Sequence, residues 1–372
     1  MKDMFSNFSD SQKKMLKMLG ILLLVIVAII LVVVIFKSMS GGKVSHEQFE
    51  NVMVRAAERY VKADPEVIES EVYGTTEISA ATLAKKGYMK EITEYFGKDT
   101  KCEGKVLVYK NLDYYKYIPK LNCGEDYNNQ SISEVIIDEK NIVTTGSGIY
   151  KQGDNYVFRG EYVDNYVSYA EKTWRIISID ANGNIKMIQT DDAGYSVWDN
   201  RYNSDYGYTS GINSFEGIEA SRIKNTILNA YNNEKIFTAE AKSLIVPNQY
   251  CVGKRAKTDA SKDGNTECAV KSELMGATGL TVSEYLNASL DENCNSMSSK
   301  SCANYNYLAK FGNAFWTVTA QSENTGYAYA ISRTVQVSQA SASYVVKLVV
   351  TVNGNINYTS GTGTLADPYI IK

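Results

Sequence analysis

Histidine is almost missing from this sequence: His46 is the only one in 372 residues. That scarcity removes Ser-His-Asp and Cys-His nucleophilic catalysis, HExxH zinc sites and two-His-one-carboxylate iron sites from nearly the whole chain. No CxxC spacing occurs, so the six cysteines do not read as a zinc site. GxxxxGK[ST] and GxGxxG are both absent, which leaves nucleotide binding without a motif. The DxDxDG calcium pattern is absent too. No basic cluster is present and the net charge is −3, which argues against a nucleic-acid partner. The enzymatic chemistry left open is carboxylate pairs, Ser/Lys arrangements or carboxylate-bound metal. Acidic residues alone select none of these, so no catalytic residue, metal ligand or cofactor is assigned.

One long apolar run is present. Residues 18–36 read MLGILLLVIVAIILVVVIF without a charge. As a helix they would be roughly 28 Å long, close to the ~30 Å hydrocarbon core of a bilayer, and they predict a transmembrane helix. Lys13, Lys14 and Lys17 precede the run and Lys37 and Lys43 follow it. This bias predicts a single-pass protein of the cell membrane with its N-terminus inside and its bulk extracytoplasmic. The alternative is a cleaved signal peptide, with Ser38-Met39-Ser40 as the small-residue site. All six cysteines follow the run, on the side where disulfides persist. Proximity favours Cys102–Cys123, Cys251–Cys268 and Cys294–Cys302, each closing a short loop worth roughly 2–3 kcal/mol.

Composition and periodicity divide the rest. The expected organisation is a cytoplasmic head (1–17), the transmembrane helix (18–36), a linker (37–43), a small helix-plus-hairpin domain (44–125), a connector (126–149) and a larger α+β surface domain (150–372). From His46 the apolar residues Phe49, Val52, Met53, Ala56, Ala57, Tyr60 and Val61 repeat at helical spacing and stop at Asp64-Pro65. A second helix is expected over 78–95, capped by Ser79. Strands are expected over 105–110 and 114–118, with Asn111-Leu112-Asp113 as their turn, and another over 133–142. Beyond Gly146, strands are expected near 156–160, 166–169, 173–179 and 185–189, the last pair joined by an Asn-Gly turn. Helices follow over 221–231 and 281–287, the second with Thr281 and Glu284 as a capping box. The end reads as strands over 314–320, 326–332, 344–352 and 368–371. The fold class expected is α+β.

Tyrosine occurs 28 times. One dense stretch holds Tyr195, Trp198, Tyr202, Tyr206 and Tyr208 among Asp199, Arg201 and further acids and amides. Flat apolar rings beside directional polar groups suit sugar or peptide recognition. Trp198, Tyr202, Tyr206, Tyr208, Asp199 and Arg201 are therefore the candidate ligand-binding residues. The other reading is an irregular loop pinned by partly buried tyrosines. Trp174 and Trp316 sit in alternating strands and read as core.

Asn165-Tyr166-Val167, Thr173-Trp174-Arg175-Ile176-Ile177, Phe315-Trp316-Thr317-Val318 and the closing run from Gly361-Thr362-Gly363-Thr364 to Pro368-Tyr369-Ile370-Ile371 form a cadence. It resembles uncharacterised ectodomains of anchored surface proteins of low-GC Gram-positive bacteria. It is distantly similar to the Fibrobacter-type major paralogous domain, which implies a C-type-lectin-like or formylglycine-generating-enzyme-like α+β architecture over residues 145–372. The Arg-Pro pair frequent before the ending in such domains is replaced by Val345-Val346-Lys347-Leu348. Residues 15–123 are weakly similar to pilins or pseudopilins, although no prepilin cleavage motif precedes the apolar run. No LPxTG-like signal appears.

These observations lead to an expectation of a membrane-anchored extracytoplasmic surface protein acting as a ligand-binding or adhesion module. Its partners would be the membrane and a glycan, cell-wall or host-surface ligand. The alternatives are an envelope-polysaccharide enzyme with paired carboxylates and a pilin-like structural subunit.

Overall fold

The computed structural model describes residues 44–372, apart from 73, 111–113, 204–207, 210–212 and 217–220. Among these, no helix is long and apolar enough to cross a membrane. The transmembrane helix expected over 18–36 thus finds no support, and that segment, with the head and linker around it, lies outside the described residues.

Helix α1 (His46–Ala63) starts at a capping box, with Ser45 Oγ accepting from Gln48 N and Gln48 Oε1 accepting from Ser45 N. It stops before Pro65, whose ring disfavours helical backbone at Asp64. Its apolar stripe of Phe49, Met53, Ala56 and Ala57 packs on Val106, Val108 and Leu121. The last three belong to an antiparallel sheet of β1 (Thr75–Ser79), β2 (Glu103–Lys110) and β3 (Tyr115–Asn122), in that order. The approach is close at Gly104, where a Cβ would stand 2.5 Å from Met53 Sδ. The turn expected at 111–113 lies outside the described residues.

The helix expected over 78–95 is corrected to a strand and two short helices. β1 ends at Ser79, which caps α2 (Ala80–Lys85), and α3 (Ile92–Phe96) follows separately. Gly87 breaks the run: at φ +80° it gives a left-handed C-terminal cap, with Gly87 N donating to Ala84 O and Tyr88 N to Leu83 O. The strand expected over 133–142 is instead helix α4 (Ile132–Ile136) and a 3₁₀ turn. Its start is a capping box of Ser131 and Glu134, a signal that outweighs the β-branched residues behind it.

Beyond the connector, strands dominate. In chain order they are β4 (Gly148–Gln152), β5 (Asn155–Arg159), β6 (Tyr166–Tyr169), β7 (Lys172–Ile179), β8 (Ile185–Gln189), β9 (Tyr195–Val197), β10 (Tyr202–Asn203) and β11 (Tyr208–Thr209). Then come β12 (Asn248–Cys251), β13 (Lys271–Met275), β14 (Ala277–Thr278), β15 (Phe315–Ala320), β16 (Tyr327–Ser332), β17 (Thr334–Gln339), β18 (Ser343–Val345), β19 (Val349–Val352) and β20 (Tyr369–Ile370). One sheet runs β14-β19-β8-β7-β5-β4, with β6 also paired to β7 and β20 added parallel to β6. A second runs β17-β16-β15-β18-β9. Helices here are short: α5 (Arg222–Asn232), α6 (Ala239–Leu244), α7 (Asn265–Cys268) and α8 (Val282–Ala288). The α+β expectation is therefore corrected to a mixed α/β fold in which sheets dominate and carry the larger core.

The strand expected over 344–352 is two strands in different sheets, β18 and β19. Lys347 stands at the crossover, almost fully buried, with its ammonium 3.0 Å from Asp192 Oδ1 and 2.6 Å from Thr190 O. All three tryptophans are interior, and each indole N–H finds a carbonyl at 2.9 Å: Tyr169 O for Trp174, Thr317 O for Trp198 and Ser196 O for Trp316.

Three disulfides are present, Cys102–Cys123, Cys251–Cys268 and Cys294–Cys302, the pairs proximity favoured. They fit an extracellular or otherwise oxidising compartment. Beside the second lies a fully buried ion pair, Arg255 Nη2 to Glu267 Oε2 at 3.0 Å, with neither side chain exposed. Glu267 Oε1 also accepts from Ser283 N at 3.1 Å, which fixes the first turn of α8.

Removing one partner of such a pair strands the other charge in the interior. Glu267→Ala should cost about 3–5 kcal/mol in chemical denaturation of the oxidised protein. Glu94→Ala, which breaks the exposed pair with Lys90, should stay within about 0.5 kcal/mol of the parent.

Candidate functional site

Of the candidate ligand-binding residues, Trp198, Asp199 and Arg201 have described side chains. Trp198 and Asp199 are 0 % exposed and face the interior, so neither offers a surface to a ligand. The Asp199 carboxylate is held by Arg201, through Nη2 to Oδ2 at 2.6 Å and Nε to Oδ1 at 3.0 Å. Tyr202 and Tyr208 stand on the small β10–β11 ladder, where Tyr202 is opposite Thr209 and Asn203 opposite Tyr208. Tyr206 lies outside the described residues. Arg201 lines an open depression of about 580 Å³ with Arg222, Asn225 and Asn229.

A larger cleft, about 720 Å³, lies across the ends of the N-terminal sheet. Its apolar floor comes from Ala80, Ala81 and Ala84 of α2, Ile92 of α3 and Leu121 of β3. Amide side chains rim it: Asn122, Asn128, Asn129 and Gln130. Four glutamates, Glu77, Glu91, Glu103 and Glu134, oppose two lysines, Lys105 and Lys120, and among the described residues no aromatic ring lines the wall. Two of the acids are engaged. Glu77 Oε2 accepts from Lys105 Nζ at 2.8 Å, and Glu134 Oε2 accepts from Ser131 N at 2.6 Å. The Cys102–Cys123 disulfide sits beside the cleft and ties the outer ends of β2 and β3, which limits splaying of its wall.

The connector is fastened on both sides of this cleft. Asn129 Nδ2 donates to Glu50 Oε1 of α1 at 2.7 Å, and Tyr127 Oη donates to the same oxygen at 3.1 Å. Burial and the Glu50 charge push the Tyr127 hydroxyl up to about 12. On the other side Ile132 N donates to Ile356 O at 3.0 Å, Ser133 N donates to Gly354 O at 2.9 Å, and Lys120 Nζ reaches Asn357 Oδ1 at 3.1 Å.

Lys120 is the unusual group. It shares a strand face with Ile118 and is only 5 % exposed. Burial lowers its amine to about 8, with Glu134 and Glu50 partly offsetting the shift. No carboxylate lies within ion-pair distance among the described residues. In the sequence this residue carries no signal of its burial, because Lys120 lies beyond the strand expected over 114–118 and alternates with Lys116 and Asn122 on the more polar face of β3. The amide rim likewise reads in sequence only as a polar loop.

His46, Cys102 and Cys123 bring their ligand atoms within 4.8 Å of one another. They do not make a metal centre, because both sulfurs are committed to the disulfide and a metal needs thiolates. The His46 ring is stacked instead between Tyr127 and Phe96, at centroid distances of 4.5 and 5.2 Å.

No family model matches the chain, and neither the curated proteins nor the solved structures contain a match.

The Lys120 shift sets a pH dependence. Between about pH 8 and the ordinary value of 10.5 the unfolded chain binds the proton that the folded chain has released, so stability rises with pH in that window. The penalty is fully present below pH 8, and is of order 2–3 kcal/mol. Lys120→Met should therefore stabilise the protein by about 1–2 kcal/mol at pH 7, net of the lost Asn357 bond. The advantage should shrink by pH 10. Urea denaturation at the two pH values checks this, and an equal advantage at both would contradict it.

Proposed function

We propose that this protein is a ligand-recognition module of an oxidising, extracellular compartment, and that the cleft between α2, the ends of β2 and β3, and the connector takes an extended polypeptide segment. The observation that supports this reading is the composition of the cleft. Side-chain amides pair naturally with main-chain N–H and C=O groups, and Asn128 and Gln130 sit where a passing backbone would meet them. Sugar recognition leans on an aromatic plane, and the described residues of this wall supply none. The excess of glutamate over lysine favours a segment carrying Lys or Arg. Anchoring of the connector to α1 and to residues 354–357 leaves little ordering to be done on binding.

The full oxidised chain, applied to peptide and glycan arrays, should select basic peptides over acidic peptides and over glycans. Ala81 is exposed and lines the cleft, so Ala81→Trp should fill it without disturbing the core and should weaken peptide binding more than tenfold. Selection of glycans alone, or peptide binding indifferent to Ala81→Trp, would overturn the reading.

A further inference from the structure

Five basic side chains are buried among the described residues: Lys120, Arg175, Lys224, Arg255 and Lys347. A buried cation is costly unless a carboxylate or a full set of acceptors meets it. Lys224 has Glu216 and Glu273 at 2.8 Å each, Arg255 has Glu267 at 3.0 Å, and Lys347 has Asp192 at 3.0 Å. Arg175 has no carboxylate within ion-pair distance among the described residues, although it is only 6 % exposed.

Its surroundings are ordered around the guanidinium. Tyr166, opposite Arg175 in the β6–β7 ladder, lays its ring 4.1 Å from the guanidinium carbon. Tyr307 approaches to 4.7 Å, and its hydroxyl is fixed on Ile176 O at 3.1 Å. Nε donates to Asn165 Oδ1 at 2.7 Å and Nη2 to Val163 O at 3.1 Å, with the Tyr166 hydroxyl in reach of a third donor. A guanidinium carries five N–H donors, so these partners do not exhaust it. Aromatic faces recover only part of the cost of desolvating a cation.

Arg175 opens on a pocket of about 260 Å³. The pocket is walled by Tyr166, Tyr307, Phe311 and the exposed Leu365, with Lys310 as a second cation, and among the described residues no carboxylate lines it. Lys310 is bound to Glu161 at 2.6 Å and remains half exposed. The Thr173 and Thr190 edges supply the remaining polar lining. We infer that this pocket is a second ligand site, separate from the cleft, for a carboxylate carried on a single six-membered ring, with Arg175 meeting the carboxylate and Phe311 and Leu365 the ring. Asp192 and Lys347 lie behind Phe311 and are already mutually neutralised, so they leave the sign of the pocket unchanged. Asp164, on the other flank, is felt by Arg175 only at a distance.

The probes are benzoate and glucuronate, which carry the carboxylate on an apolar and on a hydroxylated ring, each against its neutral counterpart, benzamide and glucose. Titration calorimetry and NMR on the full oxidised chain should show at least one carboxylate binding tenfold or more tightly than its counterpart, with affinity falling as salt rises. The stronger of the two acids names the ring class. Thr190→Trp keeps Arg175 and fills the pocket, and should abolish binding. Lys310→Gln, at an exposed position, should weaken binding several-fold with unchanged thermal unfolding. Neither acid binding to the folded protein at millimolar concentration, neutral counterparts binding equally, or affinity unchanged in Thr190→Trp would overturn the inference. Peptide binding in the cleft should persist in Thr190→Trp, which keeps the outcomes at the two sites distinct.

Discussion

The buried Arg255–Glu267 pair is the constraint around which the larger unit is arranged. Neither side chain touches solvent, so water cannot lower the cost of separating them. Their neighbours are recruited accordingly. Arg255 Nη1 donates to Asp259 O and Ser261 O, closing the loop that follows β12. Arg255 N donates to Ala320 O, and its carbonyl accepts from Tyr329 Oη, which fixes the loop on β15 and β16. Glu267 accepts from Ser283 N and so sets the start of α8. Gly253 is required beneath the pair, since a Cβ there would meet Glu267 O at 2.7 Å. The Cys251–Cys268 bridge closes the same loop covalently, which keeps the two charges near each other even before the sheet has formed. Loop, sheet and helix therefore have to form together.

Much of this fold was legible where local chemistry and tertiary packing agree. The Thr281–Glu284 capping box announced α8, the helical spacing of apolar residues over 221–231 announced α5, and the alternation through Trp174 announced β7. Legibility failed where a tertiary fact decided the matter. The apolar stretch from Tyr344 to Val352 reads as one strand because both halves are buried, yet the chain changes sheets between them. Only the lysine in its middle hinted at the break. Gly87, at φ +80°, ends the helical run inside 78–95, and the Ser131–Glu134 box starts a helix where the β-branched residues of 133–142 read as a strand. The apolar run over 18–36 outweighed everything else in the sequence, and it falls outside the residues the structure describes.

The candidate sites show the same division. Aromatic density pointed to residues 198–208, but density does not state which way a ring faces, and Trp198 turned inward to Thr317. The cadence Asn165-Tyr166 followed by Trp174-Arg175 was visible as a pattern, and the β6–β7 register turns it into a contact by setting Tyr166 opposite Arg175. Tyr307 and Leu365 complete that pocket from more than 130 positions away, a distance no spacing rule spans. The cleft has a similar origin: Lys120 lies beyond the strand expected over 114–118, on the face of Lys116 and Asn122, and both its burial and the amide rim need the connector to fold back across the sheet.

The five buried cations show how one acidic chain separates structure from function. Lys224, Arg255 and Lys347 meet carboxylates, and each links elements distant in sequence. Each of these charges is met by an opposite charge within the fold, so they serve as struts. Lys120 and Arg175 do not close in this way. Lys120 meets an amide and lets its proton go near pH 8, whereas a guanidinium cannot deprotonate and is wrapped in tyrosine rings instead. Both of these line concave surfaces. An interior charge left short of its counterion stores binding free energy, because a ligand supplying the missing group recovers part of the desolvation already incurred on folding. The two pockets therefore differ in what they should recruit. The cleft, in which glutamates outnumber lysines, favours basic chains. The tyrosine-walled pocket, whose guanidinium cannot shed its charge, favours an acid.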